Sequence, residues 1–158
     1  MRKALCLLLA LLLLLAVCGC KNNDNICFFY PRSEIHYDIP DGVIAPEVRD
    51  LRRSDFDLSY LLKLYLEGPV SQELYSPFPT GTALESLSYA GGQLFIALSE
   101  PFATLENLDY TIACVCIAST CFALTDANAV TVKTQHTSIT LTPDQLVLED
   151  TAAASSPE

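Results

Sequence analysis

The sequence predicts an α+β fold: one small domain in which two helices pack on a small, mainly antiparallel sheet. Three stretches carry that expectation. Leu58, Leu61, Leu62, Tyr65 and Leu66 fall at helical spacing and stop at Gly68-Pro69; Ala83 to Leu98 reads as two strands about a Gly91-Gly92 link; and an apolar helical run from about Glu106 to Leu124 precedes the strand pattern Val130-Thr131-Val132-Lys133.

Taken in order, the first 20 residues, MRKALCLLLALLLLLAVCGC, place two basic residues ahead of an apolar run from Ala4 to Cys18. That run of 15 residues is short for a spanning helix, which needs about 20. Residues 1–19 therefore read as a secretory signal peptide. The ending Val17-Cys18-Gly19-Cys20 resembles the lipobox of bacterial lipoproteins, in which the cysteine after Gly is diacylated with palmitate-type chains and becomes N-terminal. Cys20 fits that role better than Cys18, because Val17 is a poor residue immediately before a cut. A plain signal peptide or an uncleaved anchor is the alternative. Two acyl chains anchor durably, at about 0.8 kcal/mol per buried methylene, so the expected location is the cell membrane, lipid-anchored on its extracytoplasmic face.

Residues 20–25 hold the lipidated cysteine and a short polar tether. The domain is expected over residues 26–148. Ile26-Cys27-Phe28-Phe29-Tyr30, closed by Pro31, is the first strand; Asp41-Gly42 is a turn ahead of a short second strand at Val43-Ile44. From Pro46 to Phe56 the charges alternate in sign, the pattern of a solvated face, with Ser54 and Asp57 as a capping pair for the first helix. Gly68 supplies a left-handed stop and Pro69 cannot donate the next backbone bond. Pro79-Thr80-Gly81-Thr82 is a turn. In the hairpin, Leu87 and Tyr89 share one strand face, and Leu94, Ile96 and Leu98 share one on the next. The second helix, with Glu106 and Asp109 at its positive end, is apolar over much of its girth through Leu108, Ile112, Val115 and Phe122 with Ile117 and Cys121, so it should be buried against the sheet. Ser138 to Leu141 adds an edge strand, and residues 149–158 read as a disordered tail.

Composition narrows the function classes. The net charge is −10, and removal of Arg2 and Lys3 with the signal leaves 7 basic against 19 acidic residues, net −12. Such a surface repels phosphate backbones and anionic headgroups, so no nucleic-acid partner is expected and no membrane contact beyond the lipid anchor.

Leu61-Leu62 through Glu67-Gly68-Pro69, Pro79-Thr80-Gly81-Thr82-Ala83-Leu84, Ile96-Ala97-Leu98-Ser99-Glu100-Pro101-Phe102, Ile117-Ala118-Ser119-Thr120 and Val130-Thr131-Val132, with Glu47-Val48-Arg49 upstream, together resemble the GerMN (sporulation and spore germination) domain. The chain departs from that pattern at Ala97, where the family often carries an acidic residue, and at Lys133-Thr134-Gln135, which lacks a glycine turn. The resemblance implies an α/β unit like the ring-building motifs that stack side by side in envelope assemblies. It also implies lipoproteins linked to sporulation, germination and cell-wall remodelling, and brings no catalytic residues with it.

The residues themselves offer little catalytic chemistry. Of the cysteines beyond the signal and Cys20, Cys114 and Cys116 point roughly 200° apart on a helix, so Cys114-x-Cys116-x4-Cys121 cannot converge on a metal. Buried structural thiols are expected, with one disulfide left open. His36 and His136 are the near-neutral bases, and neither lies in a nucleophile or metal spacing. Glu67, Glu85 and Glu100 are the carboxylates a glycoside hydrolase would pair. No metal and no cofactor is expected, and no enzyme. The chain reads as a non-enzymatic interaction module of the bacterial cell envelope, holding another envelope protein or a second copy of itself; the alternative is a cell-wall ligand-binding or hydrolytic protein. The expected interaction surface is the hairpin Leu84 to Leu98 with an edge strand near Val130, represented by Gln93, Phe95 and Thr131.

Overall fold

A computed structural model describes residues 25–36 and 42–146. Residues 1–24, and with them the signal peptide, Cys20 and most of the tether, lie outside the described residues, as do Val147, Leu148 and the tail 149–158. Asn25, expected in the tether, already belongs to the first strand.

The fold is α+β, with two helices and two small, mostly antiparallel sheets. Strand β1 (Asn25–Pro31) pairs antiparallel with β2 (Ile44–Arg52) as a separate two-stranded sheet. This differs from the expected short strand and single sheet. The charged stretch is itself a strand because it alternates with period two: Ala45 and Glu47 are buried while Pro46 and Val48 are exposed. Phe29 lies opposite Pro46, and its backbone faces away from β2: its N–H donates to Thr120 Oγ1 at 2.9 Å and its carbonyl accepts the Tyr65 hydroxyl at 2.9 Å. Pro46, with no N–H to offer, therefore breaks no ladder bond and blunts the outer edge of β2.

Helix α1 (Leu58–Leu66) starts where the Asp57 carboxylate accepts the Tyr60 N–H at 2.7 Å. Ser54, the other half of the expected capping pair, bonds Asp55 instead. Leu61, Leu62 and Tyr65 are its buried face, and Gly68 at φ +100 closes it. The four-stranded sheet runs β3 (Leu84–Ala90), β4 (Gln93–Leu98), β5 (Ala129–Lys133), β6 (Ser138–Leu141), with only β4 and β5 parallel. Gly91 and Gly92 both take positive φ, 59° and 81°, as a two-residue link that follows the twist of its strands requires. Gly92 is fixed a second way, because a Cβ there would sit 2.8 Å from Asn128 Nδ2.

Helix α2 (Asn107–Leu124) is the crossover between β4 and β5, and it packs against β1 as well as against β5 and β6. Its buried residues, from Ala113, Cys114 and Cys116 to Thr120, Cys121 and Leu124, cover an arc of roughly 200° at 100° per residue. Lying between two sheets, the helix needs that wide an apolar face, and its small side chains let both sheets approach. The expected stripe is displaced accordingly: Leu108 is 68% exposed, and Ile112, Val115 and Phe122 are only half-buried. Around α2 runs a continuous series of ring contacts, Phe28–Tyr65 at 5.3 Å, Tyr30–Tyr65 at 4.9 Å, Tyr65–Phe78 at 5.1 Å, Phe78–Phe102 at 6.5 Å and Phe102–Tyr110 at 5.8 Å, which ties β1, α1 and the two long loops into one core.

A charge at Leu62 or Ile117, each 2% exposed, would be unpaired and buried, at a cost comparable with the whole stability of about 5–15 kcal/mol. Ile117→Asp is expected to abolish the cooperative unfolding transition followed by circular dichroism. The same change at half-buried Ile112 should leave a folded protein weaker by about 1–2 kcal/mol.

Candidate functional site

Alternation along β4 sends Leu94, Ile96 and Leu98 into the core and leaves Gln93, Phe95 and Ala97 on the opposite face. The register then sets Ser88, Phe95, Thr131 and Thr140 side by side across β3, β4, β5 and β6. Gln93 Nε2 donates to Thr131 Oγ1 at 2.6 Å, and the Thr131 and Thr140 hydroxyls are 2.8 Å apart. The structure thus brings together Gln93, Phe95 and Thr131, the three residues expected at an interaction surface. Their roles differ, because Thr131 is 6% exposed and already satisfied on both sides, which makes it a support. Phe95 and Gln93 are half-buried, and Ser88 and Thr140 are exposed.

That surface departs from the sequence reading at several points. Strand β5, expected at an edge near Val130, is interior, and the edges are β3 and β6. The reason is that Ser138–Leu141 adds beyond β5 through the pairs Val130–Leu141 and Val132–Ile139. Ser88 and Thr140 were also missed, although the period-two alternation of polar residues in both strands is the signal that would have found them. Tyr89, expected on the core side, is 54% exposed at the hairpin end.

The charged stretch 46–56 is solvated on one side only: Val48, Asp50, Arg52 and Asp55 are exposed, while Glu47, Arg49 and Arg53 are bonded into the frame. Glu47 is buried; its Oε2 accepts the N–H groups of Val70 and Ser71 at 2.8 and 2.9 Å, and its Oε1 accepts Arg49 Nε at 2.8 Å. Arg49 donates onward to the Gly68 carbonyl at 2.8 Å and lies 4.9 Å from the Phe28 ring centroid. Arg53 donates to the carbonyls of Leu124 at 3.2 Å and Phe56 at 2.9 Å, pinning the negative end of α2. These guanidinium groups clamp β2 to the exits of both helices.

The remaining candidates do not converge. His36 lines a groove of about 420 Å³ with Arg32, Ser33, Glu34, Gln72 and Glu73, while Glu67, Glu85 and Glu100 are exposed elsewhere on the surface. His136 sits exposed in the turn between β5 and β6. Cys27, Cys114, Cys116 and Cys121 are free thiols, the last three buried. Burial pushes the Cys114 thiol up to about 11, against a smaller opposing hydrogen bond with Tyr110, and raises Cys116 and Cys121 further. Thiols held protonated are poor nucleophiles and poor metal ligands, and no cluster of His, Cys, Asp and Glu able to hold a metal occurs among the described residues.

Burial alone would raise the Glu47 carboxyl, but the Ser71 amide, the Arg49 side chain and the Val70 amide outweigh it and hold the group below its ordinary value of 4.5. A carboxyl lowered by folding adds stability that is complete above that value and lost as pH falls through the folded pKa. Glu47→Gln should cost on the order of 3 kcal/mol at neutral pH, as loss of one partner of a buried pair does. Urea titrations at pH 7 and at successively lower pH should show the penalty shrinking through the acid range.

No protein-family model matches the chain, and neither does any curated protein sequence. Among solved structures, the tandem GerMN domains of the sporulation protein GerM from Bacillus subtilis are similar to it, with a TM-score of 0.55 at 16% identity over 71% of this chain and 39% of that one. The chain spans about two fifths of the length of that structure. At this identity the likeness is one of fold: the chain has the GerMN fold expected from its sequence.

Proposed function

We propose that this protein is a non-enzymatic, lipid-anchored interaction module on the extracytoplasmic face of a bacterial cell membrane, serving an assembly linked to sporulation, germination or cell-wall remodelling. The observation that carries the reading is the outer face of the four-stranded sheet, where Gln93, Phe95, Thr140 and Ser88 surround a satisfied Thr131 with neutral side chains. A half-exposed aromatic ring among small hydroxyls is the composition of an interface centre, which is poor in charge and rich in aromatics. The likeness to a domain that occurs in tandem in a sporulation protein supports the same reading. The signal-like first 19 residues and Val17-Cys18-Gly19-Cys20 support the anchor.

The surface and the anchor are tested separately. A photo-crosslinker at Gln93 on intact cells should capture one defined envelope protein, or a second copy, and Phe95→Ala should reduce capture by about 30-fold, the loss expected of an interface hot spot of roughly 2 kcal/mol. Failure to capture any protein, with purified peptidoglycan cleaved by the wild type and spared by His36→Ala, would instead support the hydrolytic alternative. Labelled palmitate should enter the wild type and the Cys18→Ser variant but not Cys20→Ser; incorporation into Cys20→Ser would refute the assigned lipidation site.

A further inference from the structure

Where α2 leaves the cover of the two sheets, its outward side is still apolar. Leu108 is 68% exposed, and Ile112, one turn on, lines a groove of about 290 Å³ with Leu105. The facing wall is the loop Tyr75–Pro79, whose Tyr75 ring is 42% exposed and whose Phe78 ring forms the groove's base. Two prolines, Pro77 and Pro79, stiffen that wall. Tyr75 is also tied to β1 by its N–H to the Pro31 carbonyl at 3.0 Å, which fixes that wall to the first sheet. A space of this size is at the bottom of the range for small-molecule pockets, about 300–1,000 Å³, and suits one or two anchoring side chains of a larger partner. On its rim stands Asp109, with Glu106 exposed in the preceding turn.

The charge decides among occupants. A second copy of a chain of net charge −10 would bring its own Asp109 or another acidic surface to an acidic rim, and an anionic lipid surface would be repelled in the same way. A cationic segment would gain where those lose. We propose that this groove receives an extended segment of a partner protein, which seats a bulky apolar side chain between Tyr75 and Ile112 and sets a Lys or Arg against Asp109. The inference rests on the reading of the domain as a protein-binding module and adds a second contact, on a different face from Phe95, with stated chemistry.

The test is a photo-crosslinker at Leu108 of the full-length protein on intact cells, with the adduct sequenced by mass spectrometry. The expected adduct is to another protein, at a peptide carrying Lys or Arg within two residues of a bulky apolar residue. Asp109→Lys should reduce its yield at least tenfold while keeping a cooperative melting transition, lowered only by the small contribution of a favourable charge at the N-terminal turn of α2, and leaving the capture from Gln93 unchanged. An adduct to a second copy, to lipid or to an acidic peptide would overturn the proposal, as would an Asp109→Lys yield equal to the wild type. Capture from Gln93 with none from Leu108 removes the groove alone; capture from neither removes the protein-binding reading with it.

Discussion

Everything in this domain follows from a helix that must face two sheets at once. Helix α2 touches β1 on one flank and β5 and β6 on the other, so no narrow amphipathic stripe could serve it. Ala113, Cys114, Ala118 and Cys121 are small enough for both sheets to close on it, and Thr120, fully buried, accepts the Phe29 N–H on the side of β1 that faces away from β2. In a chain of this size two layers around a single helix are an economical way to bury a core. The same arrangement removes the inner edge of β1 from solvent, which an isolated two-stranded sheet could not do.

The polar clamps complete what the helix begins. Glu47 and Arg49 reach across to the amides and carbonyl just after α1, and Arg53 reaches the last carbonyl of α2. Arg49 and Arg53 thereby satisfy the carbonyls of buried Gly68 and Leu124, where an unsatisfied group would cost about 1–3 kcal/mol. The outer face of the four-stranded sheet is neutral around Phe95 and Thr131, with Lys133 exposed at the end of β5.

The sequence made the regular parts of this fold legible and obscured the parts set by tertiary context. The bounds of α1 and the Gly91-Gly92 hairpin were readable because helical period, alternation and glycine pairs are local signals. The strand Ile44–Arg52 was not readable, because Glu47 and Arg49 look solvated until their distant partners at Gly68, Val70 and Ser71 are known. The inward side of α2 was hidden for a related reason. Leu108 and Ile112 carry the hydrophobic signal, but they sit where α2 runs beyond the two sheets, and the buried stretch is built from alanines and cysteines with Ile117, Thr120 and Leu124. The interior position of β5 depended on a four-residue strand, Ser138–Leu141, whose pattern is too short to fix its place.

Residue-resolved thiol exchange on the full-length protein tests the two-sided burial of α2 most directly. Cys114 and Cys121 lie within roughly 20° of each other on that helix, Cys116 points roughly 200° away from Cys114 toward the other flank, and all three are buried, whereas Cys27 on β1 is half-buried. With both sheets in place, Cys27 should react first, and the three helix thiols should react together, at a common rate that follows global unfolding as denaturant is added. Reaction of any one of the three ahead of global unfolding, at a rate like that of Cys27, would show one flank of the helix open to water and contradict the fold's central constraint.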